Sequence, residues 1–219
     1  MADGGSKDDV PGGNASDPAA ASRIIDLYRR HGTAWAADRG TRLVERAWLD
    51  RFLAMVPAGA EVLDLGCGSG QPIARYLLDQ GRRVTGIDTA APLLALARAM
   101  APACTWIEAD MRGLALGRRF GGILAWDSFF HLGHDDQRRM FAVFARHAAG
   151  GAPLMVTSGP AHGVAIGRLY GEPLYHASLD AAEYRQLLSA HGFVPLAHVA
   201  EDPSCAGHTI WLAQYGKHP

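Results

Sequence analysis

The chain has 219 residues, a formal net charge of −1, 48% hydrophobic residues and 20% charged residues, which suits one globular domain with a full hydrophobic core. It has no long block of basic residues, which argues against a general nucleic-acid binder. No apolar run approaches the roughly 20 residues of a membrane helix, and the N-terminus has no signal-peptide core. Three cysteines without a close pair favour a reducing compartment. We expect a cytoplasmic protein without nucleic-acid or membrane partners, as a monomer or homodimer.

Two segments precede the first predicted strand. Residues 1–19 are rich in Gly, Ala, Asp, Pro and Asn and lack apolar periodicity, so we expect a disordered tail. Residues 20–56 carry apolar side chains at helical spacing on both sides of a break from Gly32 to Gly40, which predicts two helices. Together with residues 57–219 they are expected to form a single domain, residues 20–219.

Strands and helices alternate from residue 57 onward, which is typical of a doubly wound α/β fold. Further on, Asp180 and Glu183 form a capping-box variant that opens a helix closed by Gly192. The last two strands, 193–200 and 208–215, flank a turn-rich segment and predict a hairpin. The other predicted strands are 61–65, 83–88, 105–109, 120–126 and 152–158, and the other predicted helices are about 71–80, 91–100 and 135–148.

A glycine-rich turn follows the first predicted strand. Asp64 lies near the end of an apolar run and precedes Gly66, Gly68 and Gly70. Glycines let the main chain turn tightly and approach a ligand that a Cβ atom would push away. The second strand ends at Asp88, 18 positions after Gly70, where an acid is placed to accept hydrogen bonds from ribose hydroxyls. The ligand is therefore expected to contain a nucleoside.

Dinucleotide sites use a similar arrangement of glycines and acid, so the two kinds of ligand must be separated. A pyrophosphate requires the third glycine of GxGxxG and an open helix N-terminus. Here Gln71 and Pro72 follow Gly70, and Asp64 places a carboxylate near the anion. A cationic ligand that carries an amino-acid ammonium group suits Asp64 better.

These motifs resemble those of the class I S-adenosylmethionine-dependent methyltransferases. The similarity runs from about Val62 to Gln214, with 106–111 as the third strand and 120–132 as the fourth strand and its loop. It implies a Rossmann-like seven-stranded sheet of order 3-2-1-4-5-7-6 with strand 7 antiparallel, N-terminal helices as a lid, S-adenosyl-L-methionine as cofactor and S-adenosyl-L-homocysteine as product. The implied cofactor-binding residues are Asp64, Gly66, Cys67, Gly68, Gly70, Asp88, Thr89, Leu93, Asp110, Met111 and Trp126, with Asp110 near the adenine amino group.

Methyl transfer demands little of the side chains, because the enzyme mainly positions the two partners and excludes water. A base helps only where the attacking atom must lose a proton. His131, just past the fourth strand, is the candidate base, although a structural histidine is an alternative. Asp127 is the second candidate catalytic residue, because it is placed to orient an amine or the ammonium group of the cofactor.

The segment between the fifth strand and the penultimate helix is expected to build the substrate pocket, because it is too long for a bare turn. The side chains of this segment could instead pack against the sheet edge or face solvent. Those of the N-terminal helices could instead serve only in helix packing. The implied substrate-binding residues are Tyr28, Trp35, Arg39, Phe130, Tyr175, His176 and His208.

Particular features of the sequence bear on other functions. His131 and His134 lack a cysteine or carboxylate partner in register, so no metal site is expected. The chain lacks the Asn/Asp-Pro-Pro-aromatic motif of amino-methylating DNA enzymes and the paired-glutamate loop of protein-arginine enzymes. Its sequence DSFFHL faintly resembles a loop of glycine and sarcosine N-methyltransferases. We predict methyl transfer to a small-molecule N- or O-acceptor; an NAD(P)-dependent oxidoreductase and a non-catalytic S-adenosylmethionine-binding protein are the alternatives.

Overall fold

The central feature of the fold is a seven-stranded sheet. The computed structural model of the chain describes residues 18–216, so the tail predicted for 1–19 lies outside the described residues except at its end, which begins a helix. The strands are β1 (Glu61–Leu65), β2 (Arg83–Asp88), β3 (Thr105–Glu108), β4 (Gly122–Ala125), β5 (Pro153–Ser158), β6 (Gly163–Leu169), β7 (Glu172–Ser178), β8 (Phe193–Asp202) and β9 (His208–Tyr215). The main sheet has the order β3-β2-β1-β4-β5-β9-β8. When β6 and β7 are left out of the count, this is the predicted order 3-2-1-4-5-7-6.

The glycine turn leaves the middle of this sheet. Val62 of β1 lies beside Val84 of β2 on one side and Gly122 of β4 on the other, and both pairings are parallel. β9 runs antiparallel to β5 and β8, as predicted for the final hairpin. Ligands of such sheets bind at the carboxyl ends of the central strands, where the strand order reverses. The end of β1, next to the ends of β2 and β4, is that position.

Helices cover both faces of the sheet. They are α1 (Pro18–Arg39), α2 (Arg46–Leu53), α3 (Ile73–Asp79), α4 (Ala91–Met100), α5 (His134–His147) and α6 (Ala181–Ala190). On one face, Leu63 and Ile123 pack against α5 and α6, and on the other face Val62 packs against α2, α3 and α4. Alternate residues of β1 thus enter different cores, which explains why nearly the whole strand is apolar. α2 is part of this second core, because its Trp48 and Phe52 are buried.

The predicted helix break at Gly32 is wrong. α1 continues through Gly32 and ends at Arg39, so the connection to α2 begins only at Gly40. A Cβ atom at Gly32 would lie 2.8 Å from Cγ of Leu93, which is on α4. The glycine permits close packing between α1 and α4, and this tertiary contact offsets its low helix propensity.

The segment between β5 and α6 forms an antiparallel hairpin, β6–β7, that is separate from the main sheet. Its buried side chains Tyr175 and Ala177 pack against Ile24 and Leu27 of α1 in a third apolar cluster. Glu172 adds ion pairs from the hairpin to Arg30 and, at 2.6 Å, to His31. α1 and the hairpin are thus joined to each other, and we call this pair the roof.

Smaller differences from the predictions lie at element ends. Phe120 stands outside β4 and makes an isolated bridge to Ala148, and β8 extends to Asp202. Asp180 caps α6 as expected, because its side chain accepts a hydrogen bond from the backbone N–H of Glu183 at 2.8 Å. Within residues 18–216, no helix combines the length and apolar character that crossing a membrane requires.

Candidate active site

The turn after β1 is shaped by glycines in the left-handed region. Gly66, Gly68 and Gly70 have φ angles of 76°, 55° and 75°. A Cβ atom at Gly66 would lie 2.2 Å from Cβ of Ser128, in the loop after β4. A Cβ atom at Gly68 would lie 3.3 Å from the ring of Trp35. Glycine is therefore required here for conformation and, at Gly66, for space.

Asp88 holds the turn against the end of β2. Its Oδ2 atom accepts a hydrogen bond from the backbone N–H of Gly68 at 2.8 Å, and its Oδ1 atom accepts one from the N–H of Ala90 at 2.9 Å. Burial raises the pKa of Asp88 in spite of these backbone donors. The carboxylate therefore both braces the glycine turn and borders the cavity above it.

Asp64 lies behind the turn. It is almost fully buried, and burial, with a smaller contribution from the nearby Asp88, raises its pKa to about 7. Cys67 is buried beside Gly86, and Gly70 packs under Met100 and Trp106. These residues support the cavity floor.

One large cavity opens above the turn. It measures about 800 Å³ including its open mouth, and α1 forms its upper wall. The predicted site residues that line it are Tyr28, Trp35, Gly66, Gly68, Asp88, Thr89, Leu93, Asp110, Met111, Asp127 and His131. The lining residues that the sequence did not single out include Ile24, Ile25, Arg112, Ser128 and Leu132.

The other predicted site residues stand outside this lining. Phe130 and His176 are ring neighbours of His131, with centroids 4.8 and 4.9 Å from it. The Arg39 Nη2 atom donates a hydrogen bond to Glu45 Oε1 at 2.7 Å, so Arg39 is bound at the start of α2 rather than in the cavity. The predicted residues that do not line the cavity are Asp64, Cys67, Gly70, Trp126, Arg39, Phe130, Tyr175, His176 and His208.

Asp110, expected near an adenine amino group, is already bound by Arg112. The Arg112 Nε atom lies 3.0 and 2.9 Å from the two carboxylate oxygens, and the Arg112 backbone N–H donates to Oδ1 at 2.9 Å. Burial alone would raise the pKa of Asp110, but these donors hold it below its usual value. A ligand amino group would therefore share this carboxylate with Arg112, a residue that no sequence motif indicated.

His131 is held in one tautomer by its two neighbours. Its Nδ1 atom lies 2.7 Å from the carbonyl oxygen of Tyr175, which only accepts, so Nδ1 carries the proton. The unprotonated Nε2 atom then accepts a hydrogen bond from the Tyr28 hydroxyl at 3.2 Å. Burial, followed by the nearby His176, lowers the pKa of His131 to about 4. A base of that pKa is poorly matched to proton abstraction near neutral pH.

Asp127 is paired with a histidine from β9. The His208 Nδ1 atom lies 2.7 Å from the carbonyl oxygen of Cys205, and its Nε2 atom lies 3.2 Å from Oδ2 and 3.0 Å from Oδ1 of Asp127. Both partners are acceptors, which places protons on both ring nitrogens. The hydrogen bond to Asp127 raises the pKa of His208 against the opposing effect of its burial. The pair joins the loop after β4 to the final hairpin.

Metal binding has no support in the part of the chain that the structure describes. No group of three or more His, Cys, Asp or Glu side chains in residues 18–216 is arranged to hold a metal ion. The stacked His134 and His162 rings lie 4.6 Å apart without further ligands.

Comparisons with known proteins agree on one family. Residues 62–151 match a family model described as a methyltransferase domain. An N,N-dimethyltransferase of dTDP-3-amino-3,6-dideoxy-alpha-D-glucopyranose from Streptomyces fradiae is 36% identical over 42% of this chain and 36% of its own length. A malonyl-[acyl-carrier protein] O-methyltransferase from Pseudescherichia vulneris is 30% identical over 73% of this chain and 57% of its own length. The matched region thus spans about a third to just over half of these curated relatives.

Solved structures share the fold. The 1,6-didemethyltoxoflavin-N1-methyltransferase from Burkholderia thailandensis superposes with a TM-score of 0.69 and 20% identity over 95% of this chain and 93% of that chain. Strand order, the glycine turn and the acid at the end of β2 define a Rossmann-like nucleoside-binding protein of the methyltransferase class. Residues 62–151 thus match a methyltransferase domain, and the chain has the fold of known methyltransferases.

Replacing Gly66 with alanine tests whether the turn depends on both conformation and space. The control is Gly59→Ala, because Gly59 also has a left-handed φ of 69° but has nothing within 4 Å of the position that a Cβ atom would take. We expect Gly59→Ala to lower the free energy of unfolding by about 1 to 2 kcal/mol through backbone strain alone. Gly66→Ala should cost about 1 to 3 kcal/mol more, because of the overlap with Ser128. Equal losses in denaturant titrations would contradict the steric argument.

The buried, neutral state of His131 predicts a pH effect on stability. Because its folded pKa is about 4, below the ordinary 6.5, the unfolded chain binds more protons in between. The contribution of neutral His131 to the free energy of unfolding is therefore complete above pH 6.5. It is lost as the pH falls toward 4, by up to about 3 kcal/mol. The variant His131→Asn should lose less stability between pH 7 and pH 4 than the unaltered protein. Parallel stability curves in urea denaturation would count against a neutral buried His131.

Proposed function

We propose that the chain transfers a methyl group from S-adenosylmethionine to an N- or O-acceptor on a small molecule. One observation supports this most: bare glycine main chain and the Asp88 carboxylate border the same large cavity at the end of the central strand. Methyl transfer is the chemistry of the matched family, and α1 covers the cavity beside the turn. The cavity would promote the reaction by positioning the two ligands, without a nucleophilic side chain.

The residues present fit the cofactor. Gly66 and Gly68 expose main chain to the cavity, and Asp88 borders it where ribose hydroxyls would need an acceptor. Asp64, buried behind the turn with a pKa raised to about 7, favours a cationic ligand near it, because a positive charge would restore its ionised form. The residues proposed to contact the cofactor are those of the predicted set that line the cavity: Gly66, Gly68, Asp88, Thr89, Leu93, Asp110 and Met111. Asp64, Cys67, Gly70 and Trp126 stand outside the lining and would support these contacts from behind.

When bound, S-adenosylmethionine would supply an activated methyl group to a lone pair of the acceptor. The part of the protein is to hold the acceptor at about 3 to 3.5 Å from that methyl group and to exclude water. The roof suits this task, since Tyr28 and Trp35 of α1 line the cavity from above. We propose that α1, rather than the core helix α2, acts as the lid.

We assign different roles to the two candidate catalytic residues. Asp127 borders the cavity and would orient the acceptor. His131, through its Nε2 atom, would fix the hydroxyl of Tyr28 rather than remove a proton. The other proposed substrate contacts are indirect: Phe130 and His176 pack around His131, Tyr175 fixes its tautomer, and His208 holds Asp127.

The choice between the proposed cofactor and a nicotinamide dinucleotide is tested by titration. S-adenosylhomocysteine should bind the purified chain in calorimetry, and NADH should not. Asp88→Ala should weaken that binding by about 1.5 to 3 kcal/mol, because charge-assisted hydrogen bonds to the ribose are lost. Asp79→Asn, on the exposed end of α3, is the matched control and should bind normally. Tight NADH binding without S-adenosylhomocysteine binding would reject the proposal in favour of an oxidoreductase.

The choice between an enzyme and a non-catalytic binding protein is tested by turnover. With S-adenosylmethionine bound, a screen of small amines, phenols and carboxylates should yield S-adenosylhomocysteine with at least one acceptor class. Tyr28→Phe should slow that turnover, because the hydroxyl held by His131 is lost from the cavity wall. If no acceptor class yields S-adenosylhomocysteine although the cofactor binds tightly, the result would favour a protein that only senses the cofactor.

A further inference from the structure

The charges that line the cavity are unsuited to an anionic acceptor. The lining contains three carboxylates, Asp88, Asp110 and Asp127, and among the described residues its one Arg or Lys side chain is Arg112. The Arg112 guanidinium binds both oxygens of Asp110, and its Nη1 atom lies 3.2 Å from Asp136. A carboxylate on a substrate would therefore compete with two aspartates for the one guanidinium in the wall.

Asp127 is the carboxylate that remains for a second ligand. Its backbone N–H donates to Thr157 Oγ1 at 2.8 Å, and the residue adopts a left-handed φ of 47°. This costly conformation for a non-glycine residue is held by the surrounding strands and sets the side chain at the cavity wall. The His208 Nε2 atom lies within 3.2 Å of both carboxylate oxygens, and the Asp127 side chain remains 31% exposed.

Unpaired buried polar atoms concentrate around the Asp127–His208 pair. They include Trp126 Nε1 and Glu45 Oε2. The Trp126 ring packs on the His208 ring with centroids 5.2 Å apart, and Glu45 contributes to the raised pKa of His208. An unpaired buried polar atom costs about 1 to 3 kcal/mol, so a cluster of them marks a place where a polar ligand or ordered water completes the bonding. Trp126, Glu45 and His208 are outside the cavity lining, so this place lies behind Asp127 rather than in the cavity wall.

A hydroxyl acceptor would lack a base in this wall. A phenol or alcohol must lose its proton during transfer, but His131 has a low pKa and its Nε2 atom is taken by Tyr28. Tyr28 is itself a phenol in this cavity, and burial, followed by Asp127 and Asp88, raises its pKa. The same surroundings would keep a substrate phenol protonated. An amine in its neutral form already carries the lone pair that attacks, whereas an ammonium group must first release a proton to water.

We propose that the acceptor is an amine and that Asp127 binds it through an N–H donor. This inference rests on the proposed function and narrows it. The nitrogen lone pair forms the new bond to carbon as the carbon–sulfur bond breaks and its electron pair stays on sulfur. The nitrogen gains a positive charge, which the Asp127 carboxylate stabilises, and its surplus proton then leaves to water. Asp127 accordingly favours the charge that develops during amine methylation.

Matched binding probes test the choice of acceptor. Benzylamine, aniline, phenol and benzoate share one ring and differ in the group presented, so calorimetry on the protein saturated with S-adenosylhomocysteine compares the groups directly. We expect the better of the two amines to bind at least tenfold more tightly than phenol or benzoate. Asp127→Asn should abolish that preference, and the remote variant Asp79→Asn should keep it. Transfer from S-adenosylmethionine, followed by mass spectrometry, should yield an N-methyl product.

The outcomes separate this inference from the proposed function. Failure to bind S-adenosylhomocysteine would overturn the proposed function before any probe is added. With S-adenosylhomocysteine bound, tighter binding of phenol or benzoate, or a methyl ester as the product, would overturn the amine inference alone. So would an amine preference that survives Asp127→Asn, or the absence of amine binding at millimolar concentration.

Discussion

The architecture of the site depends on the hydrogen bonds that fix the glycine turn to the end of β2. The backbone N–H of Gly68 donates to the carboxylate of Asp88, and the N–H groups of Gly66 and Cys67 donate to the carbonyl oxygen of Ile87 at 2.7 and 3.1 Å. Together they anchor the left-handed glycines after β1 on β2 and present the main chain to the cavity. The same carboxylate borders that cavity. Asp88, which is proposed to bind the ribose of the ligand, thus also maintains the shape of the binding surface.

The roof and the sheet contribute differently to the site. The sheet supplies a rigid floor, because β1 lies between two parallel neighbours and is buried on both faces. α1 and the hairpin β6–β7 lie outside this sheet, and Glu172 joins them to each other by ion pairs that are partly exposed. Exposed ion pairs contribute little free energy. The roof is held to the rest of the protein by other contacts: Gly32 of α1 packs on Leu93, and the side chains of His131 and Gln137 bind carbonyl oxygens of β7.

The features that were predictable from the sequence are those determined by local patterns. The glycine turn, the acid Asp88 and the alternation of strands and helices depend on short-range spacing, and the strand order follows from resemblance to the family. The predicted helix break at Gly32 was wrong because this glycine permits close packing on Leu93, a contact between segments that are distant in the sequence. The Asp127–His208 pair spans 81 positions, and the hold of Arg112 on Asp110 matches no motif. The hairpin β6–β7 is not predictable in this way, because its glycine- and proline-containing strands lack a clear alternation.

A crystal structure of the chain grown with saturating S-adenosylhomocysteine would show where the nucleoside binds. We expect the nucleoside to lie over the main chain of Gly66 and Gly68, with its ribose hydroxyls within about 3.2 Å of the Asp88 carboxylate. A cavity that stays empty under these conditions, or a nucleoside bound elsewhere with Asp88 still directed only at the backbone, would contradict this expectation.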